Sequence, residues 1–400
     1  MRNLIQNFFL SNFIIADTIF KYFRILPNFF KKFVIDLYLL LPSSNKKFPS
    51  RLTVFLTDKC NMKCAHCFII KEEAKKTEEI SIDEYKKIFL SLKGKTSQIL
   101  FTGGEPTLRK DLLDLTNYAY KFGKVSTVSI FSNSLYPEKT GEMLRKILET
   151  TNLKINYQTS LDGLEEFHDK NRRVPGSFKN VIQTIEIINK LKKTFPNRLS
   201  RVVVGMAISK SNMGSLREFI KLMKKYNVFL AFGFVRKSKD VFNVDKSLIN
   251  FDFIPEETKK DGTEKFGDNY LNDFDLENVL KLLDEEVWSK NKDQMIYAYQ
   301  KTTLKAKEIL EKYSKSPINS ECGMGYEDMV LLPNGKVARC EMLSAYADLK
   351  DFDYNLEKFL FSNNHQDYLK KSSGCYCSHE CGIGVTIMKD KKLLNELVKI

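Results

Sequence analysis

The chain has 400 residues, 43% of them hydrophobic, enough to build one large core with smaller units beside it. Its 64 Lys+Arg against 50 Asp+Glu give a net charge of +14, which permits an anionic partner without demanding one; lysine is spread along the chain, so the excess reads as solvated surface. All eight cysteines fall in two groups, Cys60 to Cys67 and Cys322 to Cys381, which excludes a secreted disulfide framework and points to metal sites in a reducing compartment.

Residues 1–41 are rich in Phe, Ile and Leu, but Asn12, Asp17, Lys21, Arg24, Lys31, Lys32 and Asp36 interrupt every apolar run before it can span a bilayer. Asn12 also breaks the candidate apolar region of a signal peptide, and no small-residue cleavage site follows. Phe9, Phe13, Phe20 and Phe23 recur at roughly helical spacing, with Pro27 separating two predicted helices. Arg2, Lys21, Arg24, Lys31, Lys32, Lys46 and Lys47 outnumber two acidic residues, which suits a basic amphipathic segment on an anionic membrane. A pair of helices packed on the rest of the chain fits the pattern equally well.

From Arg51 onward, strands and helices alternate. Apolar or β-branched runs predict strands at 52–57, 98–102, 125–131, 154–160, 201–209 and 228–234. Helices are predicted near 81–93, 109–122, 138–149, 177–193 and 212–225. Ser81 and Glu84 form a capping box for the first, and Gly123 is placed to end the second. Such alternation implies right-handed crossovers and a parallel sheet, either doubly wound or a partial barrel. In both, the site belongs at the carboxyl ends of the strands.

The unusual residues sit at those ends. Cys60, Cys64 and Cys67, spaced C-x3-C-x2-C, follow the first strand. Three thiolates hold three irons of a four-iron cluster and leave the fourth open to an exogenous ligand. The alternative is zinc with His66 as fourth ligand, although His66 lies directly beside Cys67 and would coordinate awkwardly. Gly103-Gly104-Glu105-Pro106 follows the second strand, with backbone groups exposed by two glycines and a carboxylate able to accept from an ammonium. The third strand ends in Ser132-Asn133, and the fourth in Ser160-Leu161-Asp162-Gly163, followed by His168-Asp169 and Arg172. Any one of these alone is ordinary turn chemistry.

Residues 235–315 carry a polar connection containing Asp252, Pro255, Asp261, Gly262 and Gly267, then predicted helices over 275–313 with Tyr297, Leu304 and Ile309 on a buried face. Beyond them, Cys322 and Cys340 flank a predicted hairpin with Asn334-Gly335 at its turn, which would bring the two sulfurs close. Cys375, Cys377 and Cys381 supply further thiolates near His379. Zinc is the simpler occupant of such a set.

Taken together, the cysteine triad, the Gly-Gly-Glu segment and the later strand ends resemble the radical SAM superfamily. The resemblance covers about 51–235, and 320–385 resembles the auxiliary cluster domains called SPASM and Twitch. It implies an α/β fold, a partial (β/α)6 barrel of parallel strands with a small C-terminal iron-sulfur domain and an N-terminal helical extension. It also implies a [4Fe-4S] cluster on Cys60, Cys64 and Cys67 that cleaves S-adenosylmethionine (SAM) to a 5′-deoxyadenosyl radical, which abstracts hydrogen from substrate. By the same resemblance Gly103, Gly104 and Glu105 meet the SAM amino group, Asn133 the ribose and His66 the adenine. Ser160 and Arg172 approach the methionine carboxylate, as in the subgroup of peptide-maturing enzymes. Ser132-Asn133-Ser134 departs from the Thr-Asn-Gly of many relatives. Cys322, Cys340, Cys375, Cys377 and Cys381 favour one auxiliary iron-sulfur cluster with one cysteine to spare.

The expected organisation is an amphipathic extension over 1–50, a radical SAM core over 51–235, a connecting segment over 236–315 and the auxiliary domain over 316–400. The expected substrate is a ribosomal peptide, with a lipid, glycan or small metabolite at the membrane surface as alternative. A flavodoxin or ferredoxin is the expected electron donor, the cytoplasm the expected compartment, with peripheral membrane contact through the extension, and nucleic acid is not expected as a partner. A protein whose metals only stabilise a membrane- or nucleic-acid-binding surface is the reading from a different class.

Overall fold

The protein is seen here as a computed structural model describing residues 19–23, 25–40, 48–67, 78–235, 241–242, 246–248, 270–292, 294–313, 321–377, 379–387 and 389–397. The expectations for Phe9 and Phe13, for Arg2, Arg24, Lys46 and Lys47, and for the polar connection from Asp252 to Gly267 lie outside these residues.

Six strands form in the predicted order: β1 (Arg51–Phe55), β2 (Gln98–Thr102), β3 (Thr127–Ser132), β4 (Lys154–Ser160), β5 (Leu199–Ile208) and β6 (Phe229–Phe234). Each pairs with the next in parallel register, and the sheet does not close, so the core is a partial barrel. Leu52, Val54, Ile99, Phe101, Val128, Ile130, Ile155 and Tyr157 alternate along the first four strands into one apolar core. Each is buried against the helices that return the chain.

The local signals act as expected. Ser81 Oγ accepts from the Glu84 amide at 3.3 Å while Glu84 Oε2 accepts from the Ser81 amide at 2.5 Å, which starts helix Ile82–Leu92. Helix Leu112–Lys121 ends just before Gly123, where a Cβ would stand 2.7 Å from the Ala119 carbonyl oxygen. Helix Glu165–Arg172 was not foreseen: its residues EEFHDKNR carry almost no apolar periodicity, and it buries only His168 and Arg172. Farther on, helices Asp273–Leu283 and Met295–Tyr313 form as predicted, with Tyr297 and Leu304 buried. Ile309 is corrected: it is 38% exposed, and Leu310, one residue on, faces the interior instead.

The hairpin around Asn334-Gly335 forms from β8 (Asp328–Leu331) and β9 (Lys336–Ala338), and Gly335 takes φ of 83°, a conformation a side chain would strain. It does more than join two cysteines. β8 pairs in parallel with β1, Arg51 opposite Asp328, and so extends the barrel sheet across its open side. Arg51 Nε donates to Asp328 Oδ2 at 2.7 Å, and Thr53 Oγ1 donates to the same buried carboxyl group. β10 (Ala347–Asp348) completes this edge, and β7 (Val241–Phe242) pairs separately with β11 (Tyr376–Cys377).

At the N-terminal end, Pro27 stands between a short helical segment and helix Asn28–Leu40, as the sequence predicts. One face of this extension is core: Phe20 and Ile35 pack with Ala306, Leu310, Ile383, Ile387 and Leu394. The opposite face leaves Ile25, Phe29, Phe33, Leu37 and Leu40 exposed. Among the described residues, no helix is long and apolar enough to cross a membrane.

Candidate functional site

The loop after β1 carries Cys60, Cys64 and Cys67 over the carboxyl end of the sheet, and the next loop fits closely against it. The Gly104 amide donates to the Thr57 carbonyl at 2.7 Å and the Glu105 amide to that of Lys59 at 2.8 Å. A Cβ on Gly103 would stand 2.5 Å from the Thr57 oxygen, and one on Gly104 would overlap the Lys59 carbonyl. The two glycines are therefore required by the approach of one loop to the other, a role the sequence reading did not give them.

Glu105 is buried and joins the ends of β2 and β3. Its Oε1 accepts from the Thr107 amide at 3.1 Å, Thr107 Oγ1 at 2.6 Å and Ser132 Oγ at 2.9 Å, and its Oε2 accepts from the Asn133 amide at 2.7 Å. Burial raises its pKa, and these donors work against the rise. The donors are unevenly shared, three on Oε1 and one on Oε2, so of the two acceptor directions on Oε2 one remains for a further donor such as an ammonium.

Asn133 faces the cysteine loop. Its Nδ2 donates to Asn61 Oδ1 at 2.7 Å and lies 3.8 Å from Cys60 Sγ. The next residue, Ser134, has φ of 59°, which explains why a glycine suits this position. Here hydroxyl contacts hold the strained serine: Ser134 Oγ donates to Thr159 Oγ1 at 2.7 Å and lies 2.8 Å from the Tyr157 hydroxyl.

Arg172 makes the strongest contacts of the region. Its Nε and Nη2 form a fork to Asp162 at 2.6 and 2.8 Å, and its Nη1 donates to Cys64 Sγ at 3.4 Å. Burial alone would raise the Asp162 pKa, but Arg172 and neighbouring histidines win and hold it well below the usual carboxylate range. Burial raises Cys64, opposed by the Arg172 charge. The methionine carboxylate expected at Arg172 thus has a competitor in Asp162. Ser160 stands half-exposed at the end of β4, two residues before Asp162. His66 is anchored by Asn171 Nδ2 at 2.9 Å from its Nδ1, and burial lowers its pKa, which favours the neutral ring. His168 Nδ1 accepts from the Asp162 amide at 3.1 Å, and burial lowers this ring to about 4.

The second cysteine group surrounds a cavity behind the sheet edge. Cys322, Cys340, Cys375 and Cys377 lie near enough to feel one another's charge, and burial pushes Cys375 up to about 11, Cys340 higher still, and Cys377 well above the usual thiol range. Gly382 admits two of them: a Cβ there would be 3.0 Å from Cys377 Sγ and 3.8 Å from Cys322 Sγ. Arg339, unforeseen although it directly precedes Cys340, is fully buried here. It donates to the Met324 carbonyl at 2.9 Å, to Ser372 Oγ at 2.7 Å and to the Ser372 carbonyl, and its charge lowers Cys340 and Cys375 against burial. Cys381 is exposed, and its sulfur lies with Glu341 and His379.

Both groups share one backbone device. The backbone amide two residues beyond a cysteine works against the burial that raises its thiol: that of Met62 on Cys60, of Met342 on Cys340 and of His379 on Cys377. Such N–H donors stabilise thiolate charge and tune iron-sulfur clusters. Zinc with His66 fits the first group poorly. Among the described residues, three ligand atoms within 4.8 Å of one another occur only at Glu341, His379 and Cys381. Cys60, Cys64 and Cys67 make no such close set, and three thiols on one loop suit a polynuclear cluster, as do the four gathered near Arg339.

An open parallel barrel with a three-cysteine loop beyond its first strand defines the class, and the comparisons agree: residues 54–223 match the model of the Radical SAM superfamily. The chain is 30% identical to GTP 3′,8-cyclase of Clostridium botulinum (strain Hall) over 53% of its own length and 67% of that relative. It is 29% identical to Fe-coproporphyrin III synthase of Methanosarcina barkeri over 54% of its length, spanning 56% of that protein. The chain belongs to the radical SAM superfamily. The antilisterial bacteriocin subtilosin biosynthesis protein AlbA of Bacillus subtilis is 23% identical over 87% of the chain and 66% of that relative. Among solved structures, anSMEcpe with bound AdoMet superimposes with a TM-score of 0.56 at 18% identity, covering 81% of this chain and 83% of that one.

Proposed function

We propose that the chain is a radical SAM enzyme of the peptide-maturing subgroup, with a SPASM/Twitch-like unit holding one auxiliary iron-sulfur cluster. One observation carries the reading: Cys60, Cys64 and Cys67 share a loop that packs against Gly103–Glu105 and Asn133 at the ends of adjacent strands. The relative matched along most of the chain, named for bacteriocin biosynthesis, supports a ribosomal peptide as substrate. In this reading Cys60, Cys64 and Cys67 hold a [4Fe-4S] cluster, and Cys322, Cys340, Cys375 and Cys377 hold the auxiliary one. When bound, the first cluster and SAM together supply a 5′-deoxyadenosyl radical that takes hydrogen from the substrate.

The chain's own part is placement. The tight fit at Gly103 and Gly104 fixes the cysteine loop against β2, while Asp162 and Arg172 fix Cys64. Glu105 offers its remaining acceptor direction to the SAM amino group, Asn133 faces the ribose, His66 flanks the adenine and Ser160 approaches the carboxylate. Neutral His66 adds no charge to that surface. The proposed units are the extension 1–50, the core 51–235, the connection 236–315 and the auxiliary unit 316–400, in a cytoplasmic enzyme reduced by a flavodoxin or ferredoxin. The test is anaerobic reconstitution followed by reduction. The wild-type chain forms 5′-deoxyadenosine and the Cys60→Ala/Cys64→Ala/Cys67→Ala variant forms none; undiminished product from a folded variant rejects the reading.

A second proposal rests on helix Asn28–Leu40. Phe29 is 72% and Leu40 79% exposed, with exposed Lys32 on the same helix, as on a helix lying in an anionic lipid surface. Binding to anionic vesicles is expected to weaken with salt and with Phe29→Ser/Phe33→Ser; binding unaffected by either leaves the face without this role.

A further inference from the structure

Glu341, His379 and Cys381 line the same cavity as Cys322, Cys340, Cys375 and Cys377, and they are the metal-ligating side chains left over when those four thiolates take the auxiliary cluster, the reading on which this inference rests. Glu341, His379 and Cys381 each direct one ligand atom to a common point, all within 4.8 Å of one another, and His379 Nε2 stands 3.9 Å from Glu341 Oε2. A single ion about 2.0–2.3 Å from nitrogen, oxygen and sulfur ligands brings such atoms to roughly 3.3–3.8 Å apart, so a modest contraction would close the set. No polynuclear cluster is needed to span it.

We propose that Glu341, His379 and Cys381 form a mononuclear site for a divalent cation of borderline softness, zinc above all, beside the auxiliary thiolates. One thiolate, one imidazole and one carboxylate make a mixed set that zinc accepts and that hard cations such as magnesium and calcium do not favour. The burial is graded: His379 is 5% exposed, Glu341 is half-buried and Cys381 is exposed. Three protein ligands with one side toward solvent is the form of a zinc site that keeps a position for water or a substrate group. The same segments build both sites. Glu341 follows Cys340 directly, and His379 lies between Cys377 and Cys381, so the fold that gathers the other four cysteines also sets this triad.

The test uses the full chain with its iron-sulfur sites reconstituted anaerobically, titrated with Zn2+ and in parallel with Co2+ as a spectroscopic probe. One Zn2+ per chain is expected beyond the iron, and Co2+ is expected to show a thiolate charge-transfer band with strong tetrahedral d–d absorption. Cys381→Ser should abolish the charge-transfer band, and His379→Ala or Glu341→Gln should weaken Zn2+ binding by at least roughly 100-fold, the upper end of what loss of an outer-shell partner costs. Iron content should not change in any of them. Loss of iron from Cys381→Ser overturns the proposal by making Cys381 an iron-sulfur ligand. Equal Zn2+ affinity in wild type and Cys381→Ser overturns it as well, and because Cys381 is exposed, that variant stays interpretable if His379→Ala fails to fold. Neither result bears on SAM cleavage, which is read separately as 5′-deoxyadenosine.

Discussion

At the barrel mouth, three cysteines come from one short loop; behind the sheet edge, four come from three segments brought together by a hairpin and a two-stranded pairing. Each group has a buried arginine, but the two arginines are satisfied differently. Arg172 is forked by Asp162, so Cys64 receives a hydrogen bond from an ion pair. Arg339 is held mainly by the carbonyls of Met324 and Ser372, with the exposed Glu321 carboxylate 3.6 Å away, and its charge acts on Cys340 and Cys375. The loop site has three thiolates and an open side, where an exogenous ligand can enter. The other gathers four thiolates, enough to ligate every iron of a cubane, which suits storage or passage of an electron more than ligand exchange.

The largest test of this contrast replaces Cys322 and Cys340 together with Ala. Iron is expected to fall from about eight to about four per chain, one cubane's worth, while SAM cleavage persists and substrate turnover stops. Iron analysis beside a 5′-deoxyadenosine assay decides it; loss of cleavage in a folded double variant would mean that the two sites are one functional unit. Asp162→Asn comes next. It leaves the Arg172 charge buried without its partner and is expected to cost roughly 3–5 kcal/mol, read from denaturant unfolding, with the reduction potential of the loop cluster moving upward beside an uncompensated cation. An unchanged midpoint and potential would show that the ion pair does not position Cys64.

The smallest effect is one of pH. His168 is buried neutral with its pKa lowered to about 4, whereas the unfolded chain takes up the proton near 6.5. The unfolded state therefore binds more protons between those values, and stability falls as pH drops through that window, by up to roughly 3 kcal/mol. His168→Gln should flatten this part of the profile. His365, also lowered to about 4 and hydrogen-bonded to Tyr346 near the C-terminal unit, carries the same sign, so His365→Gln should flatten it comparably. Superimposable profiles for the wild type and both variants would remove burial of these rings from the account.

Much of the barrel could be read from local pattern. Strands 98–102 and 154–160 form with the expected ends, the Ser81/Glu84 box starts its helix, and the Asn334-Gly335 turn closes its hairpin. Each depends on residues a few positions apart. What escaped the sequence depends on distant partners. Glycine spacing says that a backbone comes close, but not that the neighbour is Lys59. Helix Glu165–Arg172 has no apolar stripe, because its buried residues answer to Asp162 and Cys64 across a loop. Five cysteines in the C-terminal region do not reveal which four group around Arg339 and which one joins Glu341 and His379; that division appears only once the hairpin is folded.

The pairing of β1 with β8 has a consequence for how the chain reaches this state. Arg51 and Asp328 are 277 positions apart, so the strand that carries the cysteine loop is an unprotected edge until most of the chain has been synthesised. Edges of this kind recruit other strands, and contacts of such long range form slowly. Ribosome-bound intermediates that stop short of Asp328 should therefore depend on chaperones more than the finished protein does. Early metal loading would meet the cysteine loop while its supporting strand is still covered on one side only.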